Sequence, residues 1–260
     1  MWMSSCSARE SESEEDLHDQ SLQRGSGASV DASSNNDASM DAFIPQSTDA
    51  AQAYIDSFIF LGESTTYHLK SRGVLSGGVN TLQVWAPRSG TMMLDQSTAQ
   101  ARIIYPENDS EMDLSDAVAL KKPKYMLLTF GLNGAVRSIS RGEIYYKSCY
   151  AKLISTIKTA SPDTVVIIQS CFPVAKNMDI SSYEISVSEL NRYIDTLNGW
   201  ASELADEIGV QYLNTSKILK DEQGFLKEEY QVGDGYHLTR TAYEKILHYL
   251  KAHKVDEVVE

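Results

Sequence analysis

The chain has 260 residues, 42% of them hydrophobic, and a formal net charge of −13. That length and apolar content suit one α/β domain with a tail better than two domains. The acidic balance excludes nucleic acid as a main partner, since phosphate binding requires clustered Lys and Arg, and Cys6, Cys149 and Cys171 are too few and too scattered for a disulfide framework.

Residues 1 to about 50 carry ten carboxylates against two arginines, which is eight of the thirteen net negative charges. A segment so rich in Ser, Asp, Glu and Asn cannot bury enough surface to offset its ordering entropy. It is predicted to be a disordered tether ahead of a domain spanning 51–260. Within it, Met3-Ser-Ser-Cys6 resembles the end of a bacterial lipoprotein signal, whose cysteine is lipidated. The apolar stretch that should precede such a cysteine is missing, so either the start is truncated or the match is chance. Truncation would give an extracytoplasmic protein whose membrane link runs through Cys6 alone; chance would leave a cytoplasmic one. No run approaches the ~20 apolar residues that span a bilayer.

In chain order, Ser57 to Leu61 reads as a first strand, and a helix from about Thr65 stops near Gly73. Thr81 to Trp85 is a second strand, followed by the turn-rich loop Ala86-Pro-Arg-Ser-Gly90. Leu114 to Lys122 is a short helix closed by Pro123, and Tyr125 to Phe130 a third strand. Ser140 with Glu143 forms a capping box for a helix carrying Ile144, Leu153, Ile154 and Ile157. Thr164 to Gln169 is a fourth strand covered on both faces. A second box, Ser186 with Glu189, opens the longest helix, stopped by Gly209. Val210 to Leu213 is a fifth strand, Asn214 to Gly235 a loop, and Thr239 to Ala252 the last helix. Alternating strands and helices make a parallel sheet flanked on both sides, in the order 2-1-3-4-5, with a crevice above strands one and three.

Chemistry-bearing residues fall at the ends of these strands. Ser64 follows the first, after Gly62-Glu63, where it reads either as a helix cap or as a nucleophile. Asn133 follows the third, in Gly131-Leu-Asn-Gly134, as a turn residue or as an amide donor. Asp234-Gly-Tyr-His237 sets a carboxylate three residues before a histidine. Together they supply nucleophile, base, base-orienter and side-chain N–H donor, the parts of an acyl-transfer site. Gly62-Glu-Ser64-Thr-Thr66 lacks the second glycine of a nucleophile elbow, which weighs against an ordinary α/β-hydrolase. His68 is placed on the first helix near the cleft. Tyr145, Tyr146 and Tyr150 read as core, His248 and His253 as solvated, and Cys149 and Cys171 as buried small hydrophobes.

Over roughly the last 200 residues, Gly62-Glu-Ser64, Gly131-Leu-Asn133 and Asp234-Gly-Tyr-His237 resemble, in order, the blocks of the SGNH, or GDSL-type, hydrolases. The resemblance implies a flavodoxin-like three-layer α/β/α fold and hydrolysis of acyl esters, with no metal or organic cofactor. It implies Ser64, His237 and Asp234 as catalytic triad, and Ser64, Asn133 and a glycine as oxyanion hole. Gly90 best matches that glycine, with Gly77 and Gly78 as alternatives. Two positions depart from the family pattern, which has Asp where this chain has Glu63 and Gly134. The expected partner is a small-molecule or glycan ester, bearing a short-chain or O-acetyl group. The rival expectation is a glycan- or peptidoglycan-binding domain that kept the fold without the activity.

Overall fold

The computed structural model describes residues 43–255 apart from Tyr183. Five strands form a parallel sheet: β1 (Phe58–Gly62), β2 (Val84–Trp85), β5 (Tyr125–Thr129), β6 (Val165–Gln169) and β7 (Gln211–Leu213). The spatial order is β2-β1-β5-β6-β7, the expected 2-1-3-4-5 among the parallel strands. Between β2 and β5 lies an unanticipated antiparallel pair, β3 (Arg102–Tyr105) and β4 (Ser110–Asp113). β3 offers only the short run Ile103-Ile-Tyr105, and its partner β4 reads Ser-Glu-Met-Asp with no apolar run, so the pairing is not announced by the sequence. Ala86 bridges Ile104 antiparallel, which joins the pair to the residue after β2.

Side chains alternate across the sheet, as the period of a strand requires. Ile59, Leu61, Met126, Leu128, Val166 and Ile168 face one core, packed under α3 (Leu114–Lys121), α4 (Ala135–Arg141), α5 (Glu143–Ala160) and α6 (Val187–Ile208). Phe58, Phe60, Tyr125, Leu127 and Ile167 face the other, under α1 (Gln52–Asp56), α2 (Ser64–Ser71), α7 (Ser216–Leu219) and α8 (Arg240–Lys251). This is the three-layer α/β/α arrangement. The helix after β1 leaves toward one face and the helix after β5 toward the other, which opens a crevice at the carboxyl ends of those neighbouring strands.

The boundary at residue 50 needs revision. Phe43 bridges Tyr212 in parallel beside β7, Ile44 is buried, and the Ser47 and Ala50 amides donate to the carbonyls of Ala252 and Lys251. The rest of the predicted tether, with Cys6, lies outside the described residues. The two capping boxes diverge. Ser186 Oγ accepts from the Glu189 amide at 3.1 Å, as expected. Ser140 instead lies inside α4, Gly142 (φ 85°) caps α5 without a side-chain bond, and Ile144 is 87% exposed rather than a core position.

Candidate active site

Glycine at position 62 lets the first strand run straight into a helix. A Cβ there would lie 2.3 Å from both the Thr129 carbonyl oxygen and Thr66 Oγ1, so only glycine lets α2 begin this close to β5. The helix starts at Ser64 itself, with Glu63 in the capping position and no side-chain cap bond. Ser64 is therefore the first helical residue and not the cap. Its Oγ lies 3.0 Å from His237 Nε2.

The imidazole is held from three directions. His237 Nδ1 is 2.7 Å from Asp234 Oδ2, while Asp234 Oδ1 accepts from the backbone amides of Tyr236 (3.1 Å) and His237 (2.9 Å). Burial pushes the Asp234 pKa up, but those amides and the imidazole outweigh it, so the carboxyl sits below its ordinary range. The buried Gln231 side chain accepts from the Gly233 and Gly235 amides, which fixes the turn that carries Asp234. Rings of His68 and Tyr236 flank His237, with centroids 4.2 and 4.0 Å away. Finally, α8 is tied to α2: Tyr243 Oη donates to the Thr65 carbonyl, Arg72 Nε to Leu238 O and Arg240 to Arg72 O. These bonds fix the distance between base and serine.

Behind the serine, Glu63 is only 2% exposed and accepts from the backbone amides of Gly131 (2.8 Å) and Asn133 (3.0 Å). Burial raises its pKa to about 7 against the opposing pull of the Gly131, Asn133 and Leu132 amides. One carboxyl from the end of β1 thus shapes the loop after β5. Gly134 explains the second departure from the family pattern. It has φ 82°, and a Cβ there would sit 2.5 Å from Met93 Sδ, so an aspartate would strain the turn and push the Met93 side chain aside.

Two N–H donors converge on one point. The Ser64 backbone N–H and Asn133 Nδ2 each donate to Thr91 Oγ1 at 3.0 Å, and Asn133 Nδ2 is also 3.3 Å from Met92 O. Gly90, expected as a third donor, is engaged elsewhere: its N–H donates to Pro87 O at 2.8 Å, closing a turn. Gly77 and Gly78 precede β2 rather than follow it, and the Gly78 N–H is bound to Leu75 O. Sequence reasoning missed Thr91, which no motif marks, although it follows the glycine that was singled out.

A cavity of about 240 Å³ adjoins Asn133, walled by Leu132, Val136, Met178, Leu190 and Tyr236, with Asp179 and Ser182 also lining it. Gly235 forms part of its support, since a Cβ there would meet Met178 Cα at 2.5 Å. Tyr146 and Tyr150 are buried, and their hydroxyls bond the Phe130 backbone at the base of the Asn133 loop. Cys149 and Cys171 are free and buried. His253 departs from expectation: it is 7% exposed and stacked on Tyr249, whereas His248 is exposed beside Asp49. Among the described residues no group of His, Cys, Asp and Glu is arranged to hold a metal, and no helix is long and apolar enough to cross a membrane.

The model of the GDSL-like Lipase/Acylhydrolase family matches residues 60–245. No curated protein matches the chain by sequence. Among solved structures, a Streptococcus pneumonia protein described by reference to platelet activating factor is similar at 20% identity and TM-score 0.52, over 75% of this chain and 82% of that one. A G-D-S-L family protein from Desulfitobacterium hafniense DCB-2 follows at 16% identity and TM-score 0.47, over 75% and 97%. A GDSL-like lipase from Bacteroides thetaiotaomicron VPI-5482 has 20% identity and TM-score 0.41, over 54% and 67%. At these identities the first likeness carries the fold alone.

Proposed function

The chain belongs to the GDSL-like lipase/acylhydrolase family, and from that premise we propose that it is a serine esterase cleaving short-chain or O-acetyl esters of a small-molecule or glycan alcohol. One observation carries the reading: Ser64 Oγ, the His237 imidazole and Asp234 form a single hydrogen-bonded row, with steps of 3.0 and 2.7 Å, beside a point where two N–H donors meet.

Ser64 Oγ attacks the ester carbonyl as His237 Nε2 takes its proton. Asp234, bonded to Nδ1, holds the imidazole in the tautomer that leaves Nε2 free to accept and stabilises the imidazolium that forms. The carbonyl oxygen, now an oxyanion, is bound by the Ser64 N–H and Asn133 Nδ2. Collapse expels the alkoxide, which takes the proton from His237, and leaves an acyl-serine. Water, deprotonated by the same histidine, then releases the acid. The cavity beside Asn133 supports the choice of acyl group: about 240 Å³ is below the ~300–1,000 Å³ of ordinary small-molecule pockets, so it favours short groups.

Hydrolysis of aryl esters of increasing acyl length by the purified chain, beside Ser64→Ala, tests this. The expected result is turnover that declines with chain length and vanishes in the variant. Equal, negligible rates for both proteins would sink it.

A further inference from the structure

In the resting molecule the two N–H donors assigned to the oxyanion are already engaged by a hydroxyl. A hole is defined by donors 2.7–3.1 Å from the oxyanion's position, and the Ser64 N–H and Asn133 Nδ2 both stand at that range, 3.0 Å, from one atom. That atom is Thr91 Oγ1. We infer that the Thr91 hydroxyl is the resting occupant of the oxyanion site, and that a substrate carbonyl binds only as this hydroxyl withdraws; the inference rests on the esterase reading above.

The backbone carrying Thr91 is fastened on both sides. The Gly90 N–H bonds to Pro87 O, Ser89 Oγ donates to Thr91 O at 3.0 Å, and Thr98 Oγ1 donates to Met93 O at 2.7 Å. Met93 is also seated over Gly134, where there is no side chain to displace it. Moving the whole segment would break these contacts together. Rotating one side chain would not. Threonine at Cβ carries an oxygen, a methyl and a hydrogen, so of its two other staggered rotamers one places the methyl at the site and the other places hydrogen there. The rotamer with hydrogen clears the hole without disturbing the backbone. It releases two N–H groups at once, and the incoming carbonyl oxygen takes up both.

The closed state lowers apparent affinity by the fraction of molecules that are open. Thr91 is thus a residue that sets how readily an ester enters, not a member of the reacting set.

The test uses the full chain with Thr91→Ala, Thr91→Ser and Thr91→Val. For an aryl acetate, Thr91→Ala should raise kcat/KM about tenfold and accelerate inactivation by an aryl phosphonate similarly. Thr91→Ser, which keeps the hydroxyl, should stay near wild type. Independently of turnover, the Ser64 amide proton should move upfield in the NMR spectrum of Thr91→Val, because its acceptor is gone. A fall of tenfold or more in kcat/KM for Thr91→Ala would overturn the inference by making the hydroxyl a donor to the oxyanion. An unchanged Ser64 amide in Thr91→Val would overturn it by showing the contact absent in solution. If the amide moves while wild type and Ser64→Ala are equally inactive, the Thr91 contact stands and the esterase reading alone fails.

Discussion

Two carboxyl groups reach this site from opposite sides, and they do different work. Asp234 keeps its side chain 38% exposed, takes amides from its own turn, and is held below the ordinary carboxylate range. Glu63 is closed off from water, takes amides from a different strand's loop, and is pushed up to about 7. Glu63 is the residue adjacent to the serine in sequence, yet it is Asp234, on the far side of the chain, that meets the imidazole. Surroundings that drive two like groups apart in acidity also divide their roles. One group acts through its charge, the other through the shape of its hydrogen bonds.

The largest effect that would break this division is on the charged side. Asp234→Asn keeps the size and one acceptor oxygen but presents an N–H to the imidazole or forces the tautomer with a proton on Nε2, which then cannot accept from Ser64. We expect kcat to fall roughly 10³–10⁴-fold with the fold intact. A fall of less than tenfold would remove Asp234 from the triad. Next in size is Glu63→Ala, which strands the buried Gly131 amide and the half-buried Asn133 amide. Loss of their acceptor should cost about 2–5 kcal/mol of stability and, through a misaimed Asn133, roughly 10²-fold in kcat. Glu63→Gln retains an acceptor oxygen and should recover most of both. If Gln behaves as badly as Ala in kinetics and denaturant unfolding, Glu63 acts through charge and the contrast collapses.

What the sequence made visible follows the same line between local and remote. The strands Phe58 to Leu61, Tyr125 to Thr129 and Val165 to Gln169 were legible because a strand buried on both faces reads as an apolar run, and their order followed from alternation with helices. Ser64, Asn133, Asp234 and His237 stood out because each ends a strand or precedes a helix. The bonds that give Glu63 its role join residues 68 and 70 apart, and Thr91 meets Ser64 across 27, so no pattern in either stretch encodes them. The false capping box at Ser140 shows the converse. Ser-x-x-Glu occurs there and at Ser186, but Gly142, with its positive φ, interrupts only the first.

A smaller effect probes the loop that Glu63 shapes. Introducing the family's aspartate with Gly134→Asp imposes a left-handed conformation on a residue with a Cβ and drives that atom into Met93 Sδ. We expect a loss of about 1–3 kcal/mol in denaturant unfolding. Adding Met93→Ala should return only the contact portion of that loss. Full tolerance of Gly134→Asp would mean that the loop re-forms around a second carboxylate, and that Glu63 is not its sole brace.

The smallest effect is on stability against pH, where Glu63 meets an opposing neighbour. His68, packed against His237, has its pKa lowered to about 4, first by burial and then by the charges of His237 and Arg72. For Glu63 the folded chain holds its proton more tightly than the unfolded chain, so stability falls as pH rises from about 4.5 to about 7. For His68 the unfolded chain binds the extra proton, so stability falls as pH drops from about 6.5 to about 4. Across the shared window the two slopes have opposite signs, and the wild-type profile should be shallow. Glu63→Gln should expose the His68 slope, with unfolding midpoints falling toward acid. His68→Gln should expose the other, with midpoints falling toward neutrality. Parallel profiles for wild type and Glu63→Gln would show that Glu63 is ionised in the folded chain at mildly acidic pH, and the sharp difference between the two carboxyl groups would be lost.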